Sequence, residues 1–459
     1  MSIDEWHSRS FLIELKPRAE FASLFVDCPP AEDSEQNAES SDNANVESAP
    51  SSLNEQQTTE LVKIEAHGLE LKDVENGNLD SAKSRFSVRI ADLCLHPNTV
   101  CALTWADHRR LFMCKVHAEA DGIPLGECRI PKTFHRLAKD ISSKVPLEEY
   151  AENAQSCPIA IECAECSLKL LSYEPGNIEI GSIPEDDWLE TAPSMEYFCR
   201  DSCAHSHSNS SDPSDLTNAS NRDRWLPTNK RFILAHSFIF VLRQTLPSDV
   251  MRICESSGIV KCIQCAAELG IVYRRNSNLV QLHHAVTTLK ASKSIKPYID
   301  VRFGCIERYF AWLLLSQCES QTSLKLVIRS YDKRPYLLIW LLESYVVLTS
   351  GDLRENSSSS LNGTEPSSNG NSHNADEEST SVENDCVHSF PALKMLYKVF
   401  DSESARSDPR ANGEDASVGL VDVPLGCCLR LIQLLLSSSH ALPPACRSVG
   451  QFYVGFVLI

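Results

Sequence analysis

The first part of the chain contains short runs in which apolar and polar residues alternate. Residues 85–90 alternate at every position, which is the period of a strand with one buried face. Similar runs predict further strands over residues 11–15, 21–26, 61–65, 99–105 and 110–116. Gly, Pro, Asn and Asp residues separate the runs, as is typical of antiparallel sheets. The pattern predicts a β-rich domain over residues 1–180, folded as a sandwich or a barrel.

The second part of the chain mixes helical and strand patterns. Apolar residues at helical spacing predict an amphipathic helix, at Ile306, Tyr309, Phe310, Leu313 and Leu314. Residues 324–329 and 336–342 flank a short polar turn and predict a hairpin. Other apolar runs predict a strand over 232–242, order from 393, a buried helix over 428–436 and a final strand over 452–459.

These patterns together predict an α+β fold. A β-rich N-terminal sandwich or barrel is expected to precede a mixed antiparallel-sheet and helix domain over residues 181–459. Residues 29–57 and 351–385 are rich in Ser, Asn and Glu, and they bury too little apolar surface to offset the entropy of ordering. We expect them to be disordered inserts. Residues 205–223 have a similar composition and predict a polar loop.

Charge and cysteine content restrict the binding partners and the cellular location expected for the protein. The net charge is −19, which argues against direct binding of nucleic acid or of an anionic membrane surface. The first residues have neither a basic nor an apolar signal region, and no apolar stretch is long enough to span a membrane. We therefore expect the 19 cysteines to be mostly reduced, in a protein of the cytoplasm and also of the nucleus.

Two Cys-x-x-Cys motifs are the strongest local signal. They are Cys163 with Cys166, and Cys262 with Cys265. This spacing places both sulfur atoms of a motif at the separation that a tetrahedral zinc ion requires, so two motifs would supply four ligands. The gap between the motifs is much longer than in a compact zinc ribbon. Two interpretations stay open: the motifs share one zinc ion as a cofactor, or they bind no metal.

Cys199 is a further candidate metal contact. It follows Tyr197 and Phe198, and His205 and His207 come soon after it. The functional hypothesis is a loop that contacts a metal ion. The alternative is a polar loop with a chance histidine pair, which we favour for the two histidines because they run into the Ser- and Asn-rich tract.

The remaining sequence motifs do not indicate a catalytic or metal site. His283 and His284 are adjacent in a predicted strand and point to opposite faces, so we interpret them as a surface pair. The chain contains no Gly-rich phosphate-binding loop, no Gly-x-Ser-x-Gly elbow and no His-Glu-x-x-His helix. Kinase, hydrolase and dehydrogenase functions therefore have no support.

Taken in order, several motifs resemble one family. They are Cys163-x-x-Cys166, Asp187-Trp188-Leu189-Glu190, Tyr197-Phe198-Cys199, Cys262-x-x-Cys265 with Leu269-Gly270, Leu338-Ile339-Trp340-Leu341-Leu342, residues 392–397 and residues 429–459. From about residue 155 to the end, this order resembles the HECT-like ubiquitin ligases that bind ubiquitin-conjugating enzymes. Single motifs are unspecific, but their order is specific.

The resemblance implies a ligase that accepts ubiquitin from a conjugating enzyme and transfers it to protein substrates, cyclin-type proteins among them, for degradation. Thioester chemistry needs an accessible cysteine, which HECT domains place near the C-terminus. The candidates here are Cys428, preceded by Cys427, and Cys446. The alternative interpretation is that Cys427 and Cys428 open a buried helix and pack there.

The resemblance also implies a second function, restraint of the zinc-dependent endonuclease that cleaves the 3′ ends of pre-messenger RNA. A Trp-x-Cys-His-like loop would then approach the nuclease metals. Here Tyr197 replaces the usual Trp and Arg200 replaces the usual His, while Cys199 is kept. The rival hypothesis to a ligase is therefore a non-catalytic protein that inhibits this endonuclease.

Overall fold

A computed structural model describes residues 9–28, 62–72, 84–106, 111–120, 133–142, 154–191, 225–291, 297–355 and 386–459. The predicted insert 29–57, the predicted loop 205–223 and Cys199 lie outside these ranges. The predicted disordered insert 351–385 is wrong over its first residues, because 351, 352, 354 and 355 belong to strands. Residues 356–385 lie outside the described ranges.

The strands are numbered in chain order. They are β1 (Ser10–Lys16), β2 (Phe21–Asp27), β3 (Val62–Glu65), β4 (Gly68–Lys72), β5 (Ser84–Ile90), β6 (Leu93–Ala106), β7 (Leu111–Ala120), β8 (Ile159–Cys163), β9 (Lys169–Tyr173), β10 (Glu179–Ser182), β11 (Arg231–Leu234), β12 (Phe238–Leu242), β13 (Met251–Ile253), β14 (Ile259–Cys262), β15 (Glu268–Val272), β16 (Leu279–His283), β17 (Thr287–Ala291), β18 (Lys325–Arg329), β19 (Pro335–Asp352), β20 (Arg354–Glu355), β21 (Cys386–Val387), β22 (Phe390–Val399), β23 (Gly419–Asp422), β24 (Ser448–Val449) and β25 (Phe452–Leu458).

The α-helices are fewer. They are α1 (Phe134–Ile141), α2 (Trp188–Thr191), α3 (Tyr298–Phe303), α4 (Ile306–Ser320), α5 (Ser404–Ser407) and α6 (Leu425–His440). Within the described ranges, no helix is both long enough and apolar enough to cross a membrane.

Most predicted elements are confirmed. The predicted N-terminal strands correspond to β1, β2, β3, β5, β6 and β7, the amphipathic helix to α4, and the hairpin to β18 and β19. The apolar run 232–242 is an exception, because it forms two strands instead of one. A tight turn separates β11 from β12, and the N–H of Ala235 donates to the carbonyl of Phe238 across it at 2.8 Å.

The chain forms two compact units. Unit 1 comprises Met1–Thr133, Leu341–Tyr397 and Leu435–Ile459, and unit 2 comprises Phe134–Trp340 and Lys398–Leu434. Strands and helices are both present, which is consistent with an α+β fold, and strands dominate. The predicted order, a β-rich domain followed by a mixed one, is not confirmed. The predicted boundary at residue 180 comes from the sequence pattern, whereas these units are defined by compactness. That boundary stays a prediction.

Unit 1 is built on an antiparallel sheet with strands in the order β24, β25, β22, β19, β1, β2, β7, β6. A smaller sheet, in the order β20, β5, β4, β3, shares a core with it. Strand β1 is buried on both faces, since Phe11 and Ile13 pack on that core and Leu12 on another. The carboxylate of Glu14 is buried as well, and Lys394 donates to it at 2.6 Å.

Unit 2 contains two sheets that share one hydrophobic core. The larger sheet has the order β10, β11, β12, β16, β15, β14, β13, and the smaller has β17, β8, β9. Ile161 of the smaller sheet and Phe232, Val260 and Leu282 of the larger one are all fully buried in this core. Strands β16 and β17 are joined by a short turn, so the chain passes directly from one sheet to the other.

Candidate functional site

Four cysteines of unit 2 come together. Cys163, Cys166, Cys262 and Cys265 place their sulfur atoms within 4.8 Å of one another. The Sγ atoms of Cys163 and Cys265 are 3.6 Å apart, as are those of Cys166 and Cys262. The two motifs therefore meet through the tertiary fold, as the shared-site interpretation requires. We refer to these four residues as the knuckle cysteines.

The two motifs have the same backbone conformation. The N–H of Ser167 donates to the carbonyl of Cys163, and the N–H of Ala266 donates to that of Cys262, each at 2.9 Å. Ser167 and Ala266 both have a φ of 59°, in the left-handed region that non-glycine residues seldom adopt. Each motif is thus a tight turn that directs both of its sulfur atoms to the same side.

Each turn closes a hairpin in a different sheet of unit 2. The first lies between β8 and β9, where Cys163 is the last residue of its strand, and the second lies between β14 and β15, where Cys262 is the last residue. Cys163 and Cys262 are almost completely buried in the shared core. The hydrophobic core therefore fixes the hairpins, and the hairpins bring the sulfur atoms together.

Burial and hydrogen bonding have opposite effects on the pKa of the knuckle cysteines. Burial raises the pKa of the Cys163 thiol to about 12, although the backbone of Cys166 and Glu165 donates to it. Burial also acts to raise the pKa of Cys262, but hydrogen bonds from the backbone of Cys265 and from neighbouring groups outweigh it, and the pKa is lowered. Backbone N–H donors aimed at sulfur stabilise thiolates, which are the form that binds metals.

The cluster could hold a metal ion. Four thiolates supply all four positions of a tetrahedral ion, which is the composition of a structural centre and leaves no position for a substrate. An ion bound here would join one hairpin of each sheet.

The N-terminal turns of α6 are anchored beside this cluster. Glu268, which begins β15, accepts a hydrogen bond from the backbone N–H of Leu425 at 2.9 Å. Arg430 donates to the carbonyl of Ala285 at 2.8 Å and approaches Glu165, inside the first motif, at 3.4 Å. A carboxylate at a helix N-terminus is stabilising. These contacts tie the start of the helix to the first motif and to the strand that follows the second motif.

Comparisons with known proteins cover different shares of the chain. The sequence profile of a family described as HECT-like ubiquitin-conjugating enzyme (E2)-binding matches residues 14–454. The chain belongs to this family. It is also similar to an E3 ubiquitin-protein ligase of Mus musculus, with 22% identity over 231 residues. That match covers 50% of this chain and 57% of the relative, so the chain spans little more than half the length of the relative. No solved structure gives a significant match.

The candidate thioester cysteines lie in buried surroundings. Cys427 and Cys428, here called the helix cysteines, lie in the first turn of α6 with exposed fractions of 1% and 0%. Burial raises the pKa of Cys427 to about 12 and that of Cys428 further still. The thiols are therefore protonated and shielded at neutral pH, as the interpretation of a buried helix start expects.

Cys446 is half-buried in a short 3-10 turn, and burial raises the pKa of its thiol to about 12. A helix N-terminus can lower the pKa of a thiol, but at Cys428 burial outweighs that effect. The assignment of Cys428 and Cys446 as catalytic residues stays a prediction, and both surroundings oppose formation of a thiolate.

Cys254 is a thiol that sequence reasoning missed. It is exposed in the turn between β13 and β14, and its sulfur lies 3.2 Å from the hydroxyl of Ser256. Hydrogen bonds from Ser256 and Ser257 lower the pKa of Cys254 to about 6. The signal available in the sequence was the pair of hydroxyl residues that follows this cysteine at turn spacing.

His283 and His284 were wrongly predicted to be a surface pair. Their exposed fractions are 1% and 4%. The N–H of Ala285 donates to Nδ1 of His283, and the Nε2 of His283 lies 3.2 Å from the hydroxyl of Tyr309. Burial lowers the pKa of His283 to about 3, so the ring is neutral. The turn that carries the chain between the sheets of unit 2 is packed inside the unit, which the local sequence does not reveal.

Proposed function

We propose that the protein binds a ubiquitin-conjugating enzyme and promotes transfer of ubiquitin from it to protein substrates, cyclin-type proteins among them, which are then degraded. The observation that carries the proposal is the family match over residues 14–454. The name of the mouse relative, a ubiquitin-protein ligase, agrees with it. Ubiquitin itself is the second partner.

The ion proposed for the knuckle cysteines is zinc. Thiolates are soft ligands that select zinc among the common divalent ions, and four of them form a closed structural site. In this proposal Cys163, Cys166, Cys262 and Cys265 hold the ion, and it stabilises the two hairpins and the start of α6. The metal has no step in ubiquitin transfer.

Two measurements test the ligase proposal. The first is binding of a purified, ubiquitin-free conjugating enzyme to the full chain by calorimetry. The second is transfer of ubiquitin in vitro, analysed on non-reducing gels that preserve thioesters. Binding together with transfer is expected. If no conjugating enzyme from a representative panel binds, the proposal fails.

Variants of the thiols then locate the chemistry. Cys428→Ala and Cys446→Ala are expected to retain transfer, because burial raises the pKa of both thiols and keeps them protonated at neutral pH. Loss of a thioester adduct in either variant, with folding retained, would restore that residue as the nucleophile. Cys254→Ser examines the exposed thiol that has a lowered pKa. If all three variants transfer normally, none of these three thiols is the nucleophile.

The second candidate function is non-catalytic inhibition of the zinc-dependent endonuclease of pre-messenger RNA 3′-end processing. The observation that favours it is the burial of Cys428 and the raised pKa of Cys446, which remove support from a transfer nucleophile. The contact would be made by Tyr197, Phe198 and Cys199. Inhibition of the purified nuclease by the wild-type chain, and its loss in Cys199→Ala, would support this function. Unchanged inhibition by that variant would overturn the metal-contacting role of Cys199.

Both functions operate in reducing compartments. We therefore propose the cytoplasm, with a nuclear fraction, as the location of the protein. Microscopy of the tagged chain together with cell fractionation tests this, and recovery from the secretory pathway would contradict it.

A further inference from the structure

A second group of metal-ligand side chains lies in unit 1, on strands β6 and β7. His96 is directly opposite His117 in this antiparallel pair, and Cys94 is opposite Glu119. Because residues two apart in a strand face the same side, His117 and Glu119 point to the side that His96 also occupies. The ligand atoms of His96, His117 and Glu119 lie within 4.8 Å of one another.

The backbone around these side chains is fixed by a bulge. The pairing of β6 with β7 shifts register between His96 and Cys101. Within the bulge, the hydroxyl of Thr99 donates to the carbonyl of His96 at 2.6 Å and accepts from the N–H of His117 at 2.9 Å. Bulges commonly redirect a side chain at a functional position. Here one hydroxyl sets the position of both histidines.

The group contains a nitrogen without a hydrogen bond. Nε2 of His96 is shielded from solvent and has no hydrogen-bond partner among the described residues. A carboxylate oxygen of Glu119 is 3.8 Å away, beyond hydrogen-bond distance. The ring centroids of His96 and His117 are only 4.8 Å apart. A shielded nitrogen without a partner costs free energy, and a cation between the two rings and the carboxylate would remove that cost.

We infer that His96, His117 and Glu119 form a second binding site, for a divalent ion of the zinc class. Two imidazoles and a carboxylate are ligands that zinc accepts, and three protein ligands leave a fourth position for water. The side chains of His96 and Glu119 are 42% and 46% exposed, so the ion would be open to solvent. Glu20 approaches Nε2 of His117 at 3.4 Å, the kind of carboxylate contact that orients metal-bound histidines.

The two proposed sites differ in a way that an experiment can separate. The knuckle cysteines offer four sulfur ligands, whereas this site offers nitrogen and oxygen ligands and an open position. We therefore expect the second ion to be bound more weakly and to exchange. Cobalt substitution distinguishes them, because only the first site gives a thiolate-to-metal charge-transfer band.

The test uses the full chain, free of a polyhistidine tag, purified with zinc and dialysed against zinc-free buffer. Calorimetric titration with zinc should show one further ion per chain. Substituting His96→Gln and His117→Gln together should abolish that uptake. Glu119→Gln alone should weaken it at least about tenfold, since loss of even an indirect partner costs 10–100-fold in affinity. His388→Gln, a change at an exposed histidine outside the group, should bind like the wild type.

Circular dichroism and retention of the cysteine-bound ion show that each variant is folded. Two results would overturn the inference. One is no further zinc uptake by the wild-type chain, which would leave His96 and Glu119 as a surface ion pair only. The other is unchanged uptake by the folded double variant, or by Glu119→Gln.

Discussion

The knuckle cysteines and the helix cysteines lie in the same compact unit, but their local geometry differs. Cys163 and Cys262 end strands, and backbone N–H groups of the following turns donate to their sulfur atoms. Cys427 and Cys428 begin a helix. Burial is the largest influence on the pKa of all four of these thiols, and the difference is that the sulfur atoms of the knuckle cysteines lie beside those of a second motif. The same residue type is thus prepared for a metal in one place and for packing in the other.

Spacing explains much of this difference. Two intervening residues form a turn that directs both sulfur atoms of a motif to the same side, and a second such turn completes the group. Adjacent residues of a helix do not face one another, so Cys427 and Cys428 cannot bind one ion together. Chemistry in a family such as this one therefore has to be assigned from surroundings, because the presence of a cysteine at the expected position is insufficient.

The largest expected effect on stability follows from substituting two of the knuckle cysteines. Cys163→Ser with Cys262→Ser should remove zinc and destabilise unit 2 by about 5 kcal/mol or more, because binding of a structural zinc contributes about 10–16 kcal/mol in small zinc domains. Thermal unfolding with metal analysis measures both. Cys101→Ser, at an exposed thiol of unit 1, is the control and should change neither. A double variant that keeps the wild-type melting temperature would contradict a structural metal ion at the knuckle cysteines.

Buried histidines extend the comparison to a second residue type. The folded-state pKa of His283 is lowered to about 3, against an unfolded value near 6.5. Between these values the unfolded chain binds the extra proton, so stability rises with pH and is lost as the pH falls below about 6.5. Each such histidine contributes a slope of about 1.4 kcal/mol per pH unit.

The variant His283→Gln should therefore flatten the dependence of unfolding free energy on pH between about 6 and 4, by about the slope of one histidine. Denaturant titrations at several pH values measure it. The variant His135→Gln, at an exposed histidine, is the matched control. Equal slopes for wild type and His283→Gln would mean that the ring is charged inside the fold.

A smaller effect on stability is expected from substituting a helix cysteine. Cys428→Ala removes one buried sulfur atom and should cost about 1 kcal/mol, similar to other single-group deletions in a core. The variant should retain its zinc and its ubiquitin transfer. Denaturant unfolding together with metal analysis checks this, and loss of zinc from Cys428→Ala would show that the two groups of cysteines are not independent.

The smallest effect on stability is expected at Cys254. Cys254→Ser should change the unfolding free energy by no more than about 0.5 kcal/mol, as is usual for a surface site. It should nevertheless remove the fastest-reacting described thiol, because a pKa of about 6 makes Cys254 largely a thiolate at neutral pH. Mass spectrometry after brief alkylation measures the reaction, with Cys428 as the internal reference. Faster labelling of Cys428 would contradict this ranking.

The sequence predicted local elements well because local patterns determine them. Alternation in residues 85–90 and helical spacing around Tyr309 were sufficient to predict β5 and α4. The break in residues 232–242 was missed, because the turn at Ala235, His236 and Ser237 has neither Gly nor Pro. Turns without those residues give little signal.

The candidate sites depended on contacts that no local pattern contains. The sequence identified each Cys-x-x-Cys motif but left open whether they meet, since that follows from the packing of two sheets. The burial of His283 depends on Tyr309, which lies on a distant helix. His96 and His117 become neighbours only through the pairing of β6 with β7.

X-ray absorption at the zinc edge tests the central claim most directly, because it reports the atoms bound to the metal. The sample is the full chain after dialysis, which removes the weaker ion. We expect about one zinc per chain, surrounded by four sulfur atoms at about 2.3 Å, and loss of this signal in Cys262→Ser. A folded chain that contains no zinc, or a zinc shell of nitrogen and oxygen atoms, would contradict the assignment of Cys163, Cys166, Cys262 and Cys265 as a structural metal centre.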